Sequence, residues 1–357
     1  MKLGIITLTE GYNYGNKLQN YALLRYLQEC NYGTVKTINN HISTMSTKDR
    51  VIIKLKSLVP TKKHFSYAKR RYKFRKFNRK YLDFTKKKLY SNTDNFTDID
   101  VFICGSDQIW NPSYFSNIDP FVGKLKVWKK SISYAASFGV SKIDDSLADN
   151  FKKSLNYLQA ISVREEQGQV ICKELGFDNT EVNIDPTFLL SEDTWRNMIS
   201  QPDIKLPDSY VVTYFLGDLS DRIDNYINTI CKENALERVD LNSTKHLKYF
   251  SLDPFEFLFA ISHSKLVLTD SFHASVFSII FSKKFLVFRR EMPEKSEMHS
   301  RIETLLNLFD LESHFFENYN EQLDSLHIDS IKIKEIIESQ QSKTQSYFKR
   351  NLSEIKY

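Results

Sequence analysis

Residues 265–288 constrain the fold more than any other stretch of the chain. Leu266 to Leu268 form a short apolar strand, Thr269-Asp270-Ser271-Phe272-His273 a polar turn, and Ala274 to Phe281 a helix that is apolar almost all round. Lys283-Lys284 then lead into a second apolar strand, Phe285 to Phe288. Two buried strands joined by a buried helix predict a parallel crossover unit, and such sheets bind ligands at the carboxyl ends of their strands. Thr269, Asp270 and Ser271 are good helix N-caps, so His273 falls in the first turn, where backbone N–H groups and the positive end of the helix dipole favour an anion. Taken alone, a histidine there more often caps or packs a helix than reacts.

The same alternation runs through both halves of the chain. Strand Leu3 to Leu8, helix Asn16 to Glu29 and strand Thr34 to Ile38 open it. Val101 to Cys104, Ser131 to Ala136, Ala160 to Val163 and Val182 to Ile184 follow as strands, with a helix over Ser146 to Gln159. A second set begins with Tyr210 to Phe215 and a helix from Asp221 to Glu233, and a last helix covers Ile331 to Phe348. Strands alternating with helices predict doubly wound parallel sheets. At 357 residues the chain is too long for one ordinary core. The reading is an N-terminal domain over 1–190 that includes a basic helical segment at 61–90, a C-terminal domain over 191–330, and a carboxyl-terminal helix in 331–357 packing back on the first domain.

Composition excludes some classes. With 41% hydrophobic and 26% charged residues the chain reads as globular. No run approaches the roughly 20 apolar residues of a membrane span, and Met1-Lys2 enters a strand without a signal-peptide core, so the expected location is cytoplasmic. Cys30, Cys104, Cys172 and Cys231 lack metal or disulfide spacing and are expected to be buried thiols. The net charge of +6 is uneven: residues 61–90 hold 13 Lys and Arg against Asp83 alone, which leaves the remainder at −6. Within that segment Phe74, Phe77, Tyr81 and Phe84 recur at helical spacing. The stripe either docks on the domain, or the helix lies on an anionic membrane surface; no nucleic-acid module accompanies it.

Polar residues collect just after predicted strands: Asn13 to Asn16, Gly105 to Gln108, Ser137 to Gly139, Arg164 to Gln167, Asp185, and Thr269 to His273. Each cluster is a weak signal by itself. In order, however, Asn13-Tyr14-Gly15-Asn16-Lys17-Leu18-Gln19-Asn20-Tyr21-Ala22-Leu23, Gly105-Ser106-Asp107-Gln108-Ile109-Trp110-Asn111, Tyr134-Ala135-Ala136-Ser137-Phe138-Gly139, Ser162-Val163-Arg164-Glu165, Asp185-Pro186-Thr187-Phe188-Leu189-Leu190, Thr269-Asp270-Ser271-Phe272-His273 and Ser300-Arg301-Ile302 resemble the polysaccharide pyruvyl transferase family over most of the chain. The resemblance implies an α/β fold of two Rossmann-like domains facing across a cleft, similar to B-type glycosyltransferases. It also implies transfer of the pyruvyl group of phosphoenolpyruvate to sugar hydroxyls as a cyclic ketal. No cofactor and no metal is implied; the partners are phosphoenolpyruvate and a lipid-linked or nucleotide-linked sugar.

That chemistry needs cations and N–H donors for a carboxylate and a phosphate, and a proton shuttle near neutral pH. The resemblance assigns His273 as general acid or base, with Arg164 as a functional cation that contacts the donor. Ser271, Asp270, Lys283 and Arg301 fall on the donor. Many members carry Arg-Leu-His where this chain has Ser271-Phe272-His273, and Arg289 or Arg290 is the expected substitute for the absent guanidinium. Asn13, Asn16, Gln19, Asp107 and Gln108 suit sugar hydroxyls, and Tyr14 and Trp110 suit a sugar face. Two other classes share the pattern: a nucleotide-sugar glycosyltransferase, and a non-catalytic carbohydrate-binding assembly protein.

Overall fold

The computed structural model describes residues 1–42, 62–243, 246–290, 300–316, 323 and 326–352. Thr61 of the basic segment and residues 353–357 of the expected last helix lie outside these. The first half runs β1 (Lys2–Ile6), α1 (Tyr14–Glu29), β2 (Thr34–Asn40), α2 (Lys62–Tyr81), β3 (Phe84–Leu89), β4 (Val101–Cys104), β5 (Lys130–Ser133), α3 (Asp145–Leu155), β6 (Ser162–Val163), α4 (Glu166–Glu174) and β7 (Glu181–Val182). The second runs α5 (Glu192–Met198), β8 (Tyr210–Tyr214), α6 (Asp221–Glu233), β9 (Glu237–Asp240), α7 (Pro254–His263), β10 (Leu266–Thr269), α8 (Phe272–Ile280), β11 (Phe285–Val287), α9 (Ser300–Leu308) and α10 (Ser330–Leu352).

The described residues form two compact units. One holds residues 1–42, 78–190 and 337–352; the other holds 62–77 and the described part of 191–336. Each is Rossmann-like. In the first, five parallel strands lie in the order β3-β2-β1-β4-β5, and isolated parallel bridges at Ile132–Ala160 and Ala136–Val163 continue the sheet to the β6-β7 pair. The second unit has four parallel strands in the order β11-β10-β8-β9. The chain reverses its direction of winding between β1 and β4 in one unit and between β8 and β10 in the other, so each sheet has a switch point with a crevice at its carboxyl edge.

Local sequence explains these elements. β4 (Val-Phe-Ile-Cys) is wholly buried, as a central parallel strand should be. On α6, Ile223, Ile227 and Ile230 repeat at helical spacing and form its buried face, while Ser220 caps it by accepting from the Ile223 N–H. α7 opens with Pro254 and a capping box between Asp253 and Glu256. α10 returns to the first unit: Tyr347 Oη donates to Ser133 O at 2.6 Å, Tyr134 Oη pairs with Thr344 Oγ1 at 3.0 Å, and Phe348 lies 4.8 Å from the Tyr134 ring.

The basic segment departs from expectation in two ways. Residues 62–77 belong to the second unit, and the helix ends at Tyr81, so Phe84 opens strand β3 and does not extend the stripe. The stripe does dock. Phe74 and Phe77 are buried, with Phe77 5.0 Å from Phe255. Arg70 lies over Phe250 at 4.5 Å and donates to its carbonyl at 3.1 Å, and Lys73 Nζ reaches both oxygens of Glu256 at 2.6 Å. The same glutamate closes the capping box of α7, so one carboxylate fixes two helices. The thiols are likewise not uniformly buried: Cys104 and Cys172 are, Cys231 is partly so, and Cys30 is exposed just past the end of α1.

Candidate active site

At the carboxyl edge of the first unit, Arg164 ties the strand-end loops together. It is 4% exposed; its Nη1 meets Asp185 Oδ2 at 2.8 Å, Nη2 lies 3.8 Å from Asp107, and Nε 4.0 Å from Glu165. Burial alone would lower the guanidinium's pKa, but the fields of Asp185, Asp107 and Glu165 outweigh it and hold the pKa above its ordinary value. Each acid then reaches further. Asp185 accepts from Ser106 Oγ at 3.3 Å and from Thr187 N at 3.0 Å, while Glu165 accepts from Ser137 Oγ and the N–H groups of Phe138 and Gly139 at 2.9 to 3.2 Å. Gly105, at φ 142°, is required where β4 turns into this cluster, since a Cβ there would lie 2.0 Å from Tyr134 O. With three carboxylates around one cation the cluster is net negative, which suits a framework better than a phosphate site.

Several acceptor-side residues serve the interior. Tyr14 and Trp110 are fully buried, and the indole N–H donates to Phe121 O at 3.2 Å, so neither offers a ring face to a sugar; the expectation of stacking fails on burial. Gln19 is fully buried, donating to Thr7 Oγ1 at 2.9 Å and accepting from Ser106 N at 3.3 Å across the β1–β4 switch point. Asn13 caps α1 by accepting from the Asn16 N–H. Asp107 and Gln108 sit at 7% and 8% exposure beside Arg164 and Asn111.

In the second unit Asp270 occupies the switch point itself. From the end of β10 its two oxygens take the N–H groups of Leu216 and Gly217, just past β8, at 2.7 and 2.8 Å, and Oδ2 also takes Arg290 Nε at 2.8 Å. Ser271 is the N-cap of α8 without a side-chain capping bond, and its N–H goes to Thr269 Oγ1 at 3.0 Å. His273 follows in the first turn, 6% exposed and edge-on to Phe272 at 5.2 Å. Arg290 is thus brought to Asp270, whereas Arg289 turns to Glu303 at 3.4 Å and lies over Phe315. Arg301 is buried in the first turn of α9, a helix that packs on α8.

Lys283 is not part of this group. Val267 pairs with Phe285 and Thr269 with Val287, so Lys283 is level with Lys265 at the amino-terminal edge, about 20 Å along the strand from Ser271. Burial lowers its ammonium pKa, helped by Arg196 and Lys265. Next to Gly217 a cavity of about 450 Å³ opens at the ends of β8 and β9, lined by Asp218, Asp221, Asp224 and Asp240 against Arg238. Four carboxylates to one guanidinium would repel a dianion and accept hydroxyls.

Sequence reasoning passed over Lys17. It is 1% exposed, its Nζ donates to Thr9 O, and burial pushes its pKa down to about 8, with Glu10 partly offsetting. The cost of the charged form is complete below pH 8 and is relieved as pH rises toward 10.5, because there the unfolded chain binds the proton and the native one does not. Lys17→Met should therefore stabilise the protein at pH 7 by on the order of 2 kcal/mol, after about 1 is deducted for the lost bond to Thr9. The advantage should shrink between pH 8 and 10. Urea unfolding at pH 7 and 9.5 measures it, and an equal difference at both would remove the ionisation argument.

Two Rossmann-like units, each with polar residues gathered at its carboxyl edge, define a two-domain α/β protein built to bind at strand ends. The family model of polysaccharide pyruvyl transferases matches residues 13–291, which include both clusters, and the chain belongs to that family. It is accordingly a transferase enzyme of polysaccharide biosynthesis. No curated protein matches it. Among solved structures it is similar to the UDP-GlcNAc 2-epimerase of Neisseria meningitidis bound to UDP-GlcNAc, at 12% identity over 95% of this chain and 99% of that one, with a TM-score of 0.44. It is also similar to the Methanocaldococcus jannaschii UDP-GlcNAc 2-epimerase in complex with UDP-GlcNAc and UDP (13%, 97% and 100%, 0.42) and to Acinetobacter baumannii MurG (9%, 99% and 99%, 0.40).

Proposed function

We propose that the protein moves the pyruvyl group of phosphoenolpyruvate, taken from the cytoplasm, onto two hydroxyls of a lipid-linked or nucleotide-linked sugar. One sugar oxygen adds to C2 of the enol as C3 takes a proton; the second then attacks C2 as phosphate leaves, closing the ketal and releasing the hydroxyl protons. The observation that carries this reading is the placement of His273 in the first turn of α8, three residues after Asp270, whose carboxylate pairs with Arg290 at the switch point. An imidazole there can deliver the C3 proton or receive a hydroxyl proton. The positive end of the α8 dipole, with Arg290 and Arg301, suits the donor's phosphate and carboxylate.

Arg290 stands in for the guanidinium that many members carry two residues before the histidine. Asp270 aims it, and Ser271 supplies a short polar side chain at the cap. We assign Arg164 to positioning: its ion pairs with Asp107, Asp185 and Glu165 hold the loops that carry Asp107 and Gln108, the remaining acceptor-side candidates with Asn13 and Asn16. The chemistry calls for no cofactor and no metal.

Incubation with phosphoenolpyruvate and a panel of lipid-linked and nucleotide-linked sugars tests the reading. Phosphate release that depends on the sugar is expected. Turnover with nucleotide sugars alone would overturn the reading in favour of glycosyl transfer.

A further inference from the structure

Docking of α2 leaves a second face of that helix in solvent, with its own pattern. From Lys62 to Tyr81 the sequence holds ten Lys and Arg and no acid. Arg70, Lys73, Phe74 and Phe77 point into the second unit, where Arg70 and Lys73 are met by Phe250 and Glu256. On the opposite side Phe65 is 75% exposed and Tyr72 67% exposed. Phe65, Ala68, Tyr72, Arg75 and Lys76 follow helical spacing on that side, flanked by Arg71, and all are exposed. Large rings this far in water do nothing for the core. A strip of rings set among cations on a helix without acids is the composition that settles at the boundary between headgroups and acyl chains.

We infer that the outer face of α2 docks the protein on an anionic lipid bilayer, with Phe65 and Tyr72 entering the headgroup region and Arg71, Arg75 and Lys76 on lipid phosphates. Charge complementarity fixes the occupant, since a neutral surface would not compensate desolvation of these cations. The two rings separate a bilayer from a soluble polyanion that offers charge alone. The surface is independent of the proposed reaction, whose candidate residues lie at strand ends and not on α2. Arg70 and Lys73 take no part, because they are held inside the second unit.

Co-sedimentation of the full chain with phosphatidylcholine vesicles, with or without phosphatidylglycerol, at low and high salt tests this. Binding should require phosphatidylglycerol and fade with salt over a Debye length. Each cation removed should weaken it about fivefold, so the triple variant R71Q/R75Q/K76Q should lose on the order of a hundredfold. Phe65→Ser with Tyr72→Ser should also weaken binding at unchanged charge, and Lys152→Gln with Lys153→Gln, on the exposed side of α3, should not. Melting temperatures of all variants should match the parent, as these side chains are exposed. No binding to phosphatidylglycerol vesicles, or binding that survives the triple variant, overturns the inference. So does binding to single-stranded RNA that the triple variant abolishes while the ring variant leaves both RNA and vesicle binding intact, which would mark a polyanion face.

Discussion

Replacing His273 with Ala should lower pyruvyl transfer by about 10² to 10⁴, the usual range for losing a general acid or base. The side chain is 6% exposed and edge-on to Phe272, so the alanine variant should also lose roughly 1 kcal/mol of stability. His273→Gln separates the two effects, because glutamine fills similar space and donates a hydrogen bond but cannot shuttle a proton at neutral pH. Both variants should be equally inactive while the glutamine variant melts closer to the parent. Near-parental turnover by His273→Gln would take the imidazole out of the mechanism and leave it as packing at the helix start.

Arg164→Gln should destabilise the first unit by about 3 to 5 kcal/mol, since it strips the cation from three carboxylates at or near full burial. Asp185 and Glu165 would then stay buried without their cation while still bonded to Ser106, Thr187, Ser137 and Phe138, so the loops could relax only by breaking those bonds. Urea unfolding should show the loss, and the Michaelis constants for donor and acceptor should deteriorate together. A variant that unfolds at the parental midpoint with only the donor's constant raised would return Arg164 to the role of a donor contact.

Much of the fold was legible because buried parallel strands are continuous apolar runs: β4 and β8 stand out in the sequence, and α6 declares itself by its isoleucines. β3 was hidden by its own lysines. In Phe-Thr-Lys-Lys-Lys-Leu the stretch of three exposed lysines continues the basic helix in composition, and Phe84 happens to fall at helical spacing from Tyr81. α7 carries no amphipathic period because it is buried almost all round, yet Asp253-Pro254 followed by Glu256 was a readable start signal.

The site divides in the same way. His273 was findable because a strand, a cap and a helix announce their junction locally. The role of Arg164 was not, because two of its three acids lie 57 and 21 residues away and nothing in a linear pattern connects them. Lys283 could have been placed correctly: a crossover helix carries the chain from the carboxyl edge back to the amino edge, so a lysine between helix and next strand must lie on the far side. Lys17 was overlooked because a lysine in the first two turns of a helix is ordinarily solvated.

The return of α10 to the first unit sets an order of events during synthesis. Tyr134 is completely buried, but part of what buries it is Thr344, Tyr347 and Phe348, more than two hundred residues later in the chain. At 5 to 20 residues per second, roughly 10 to 40 s pass between the emergence of β6 and that of the last turns of α10. For that interval the nascent first unit shows the ribosome's surroundings an open flank of β5, with the Tyr134 ring uncovered, while the second unit is still being made. A chaperone that shields aromatic surface would therefore have its main task on the half of the protein that is translated first and completed last.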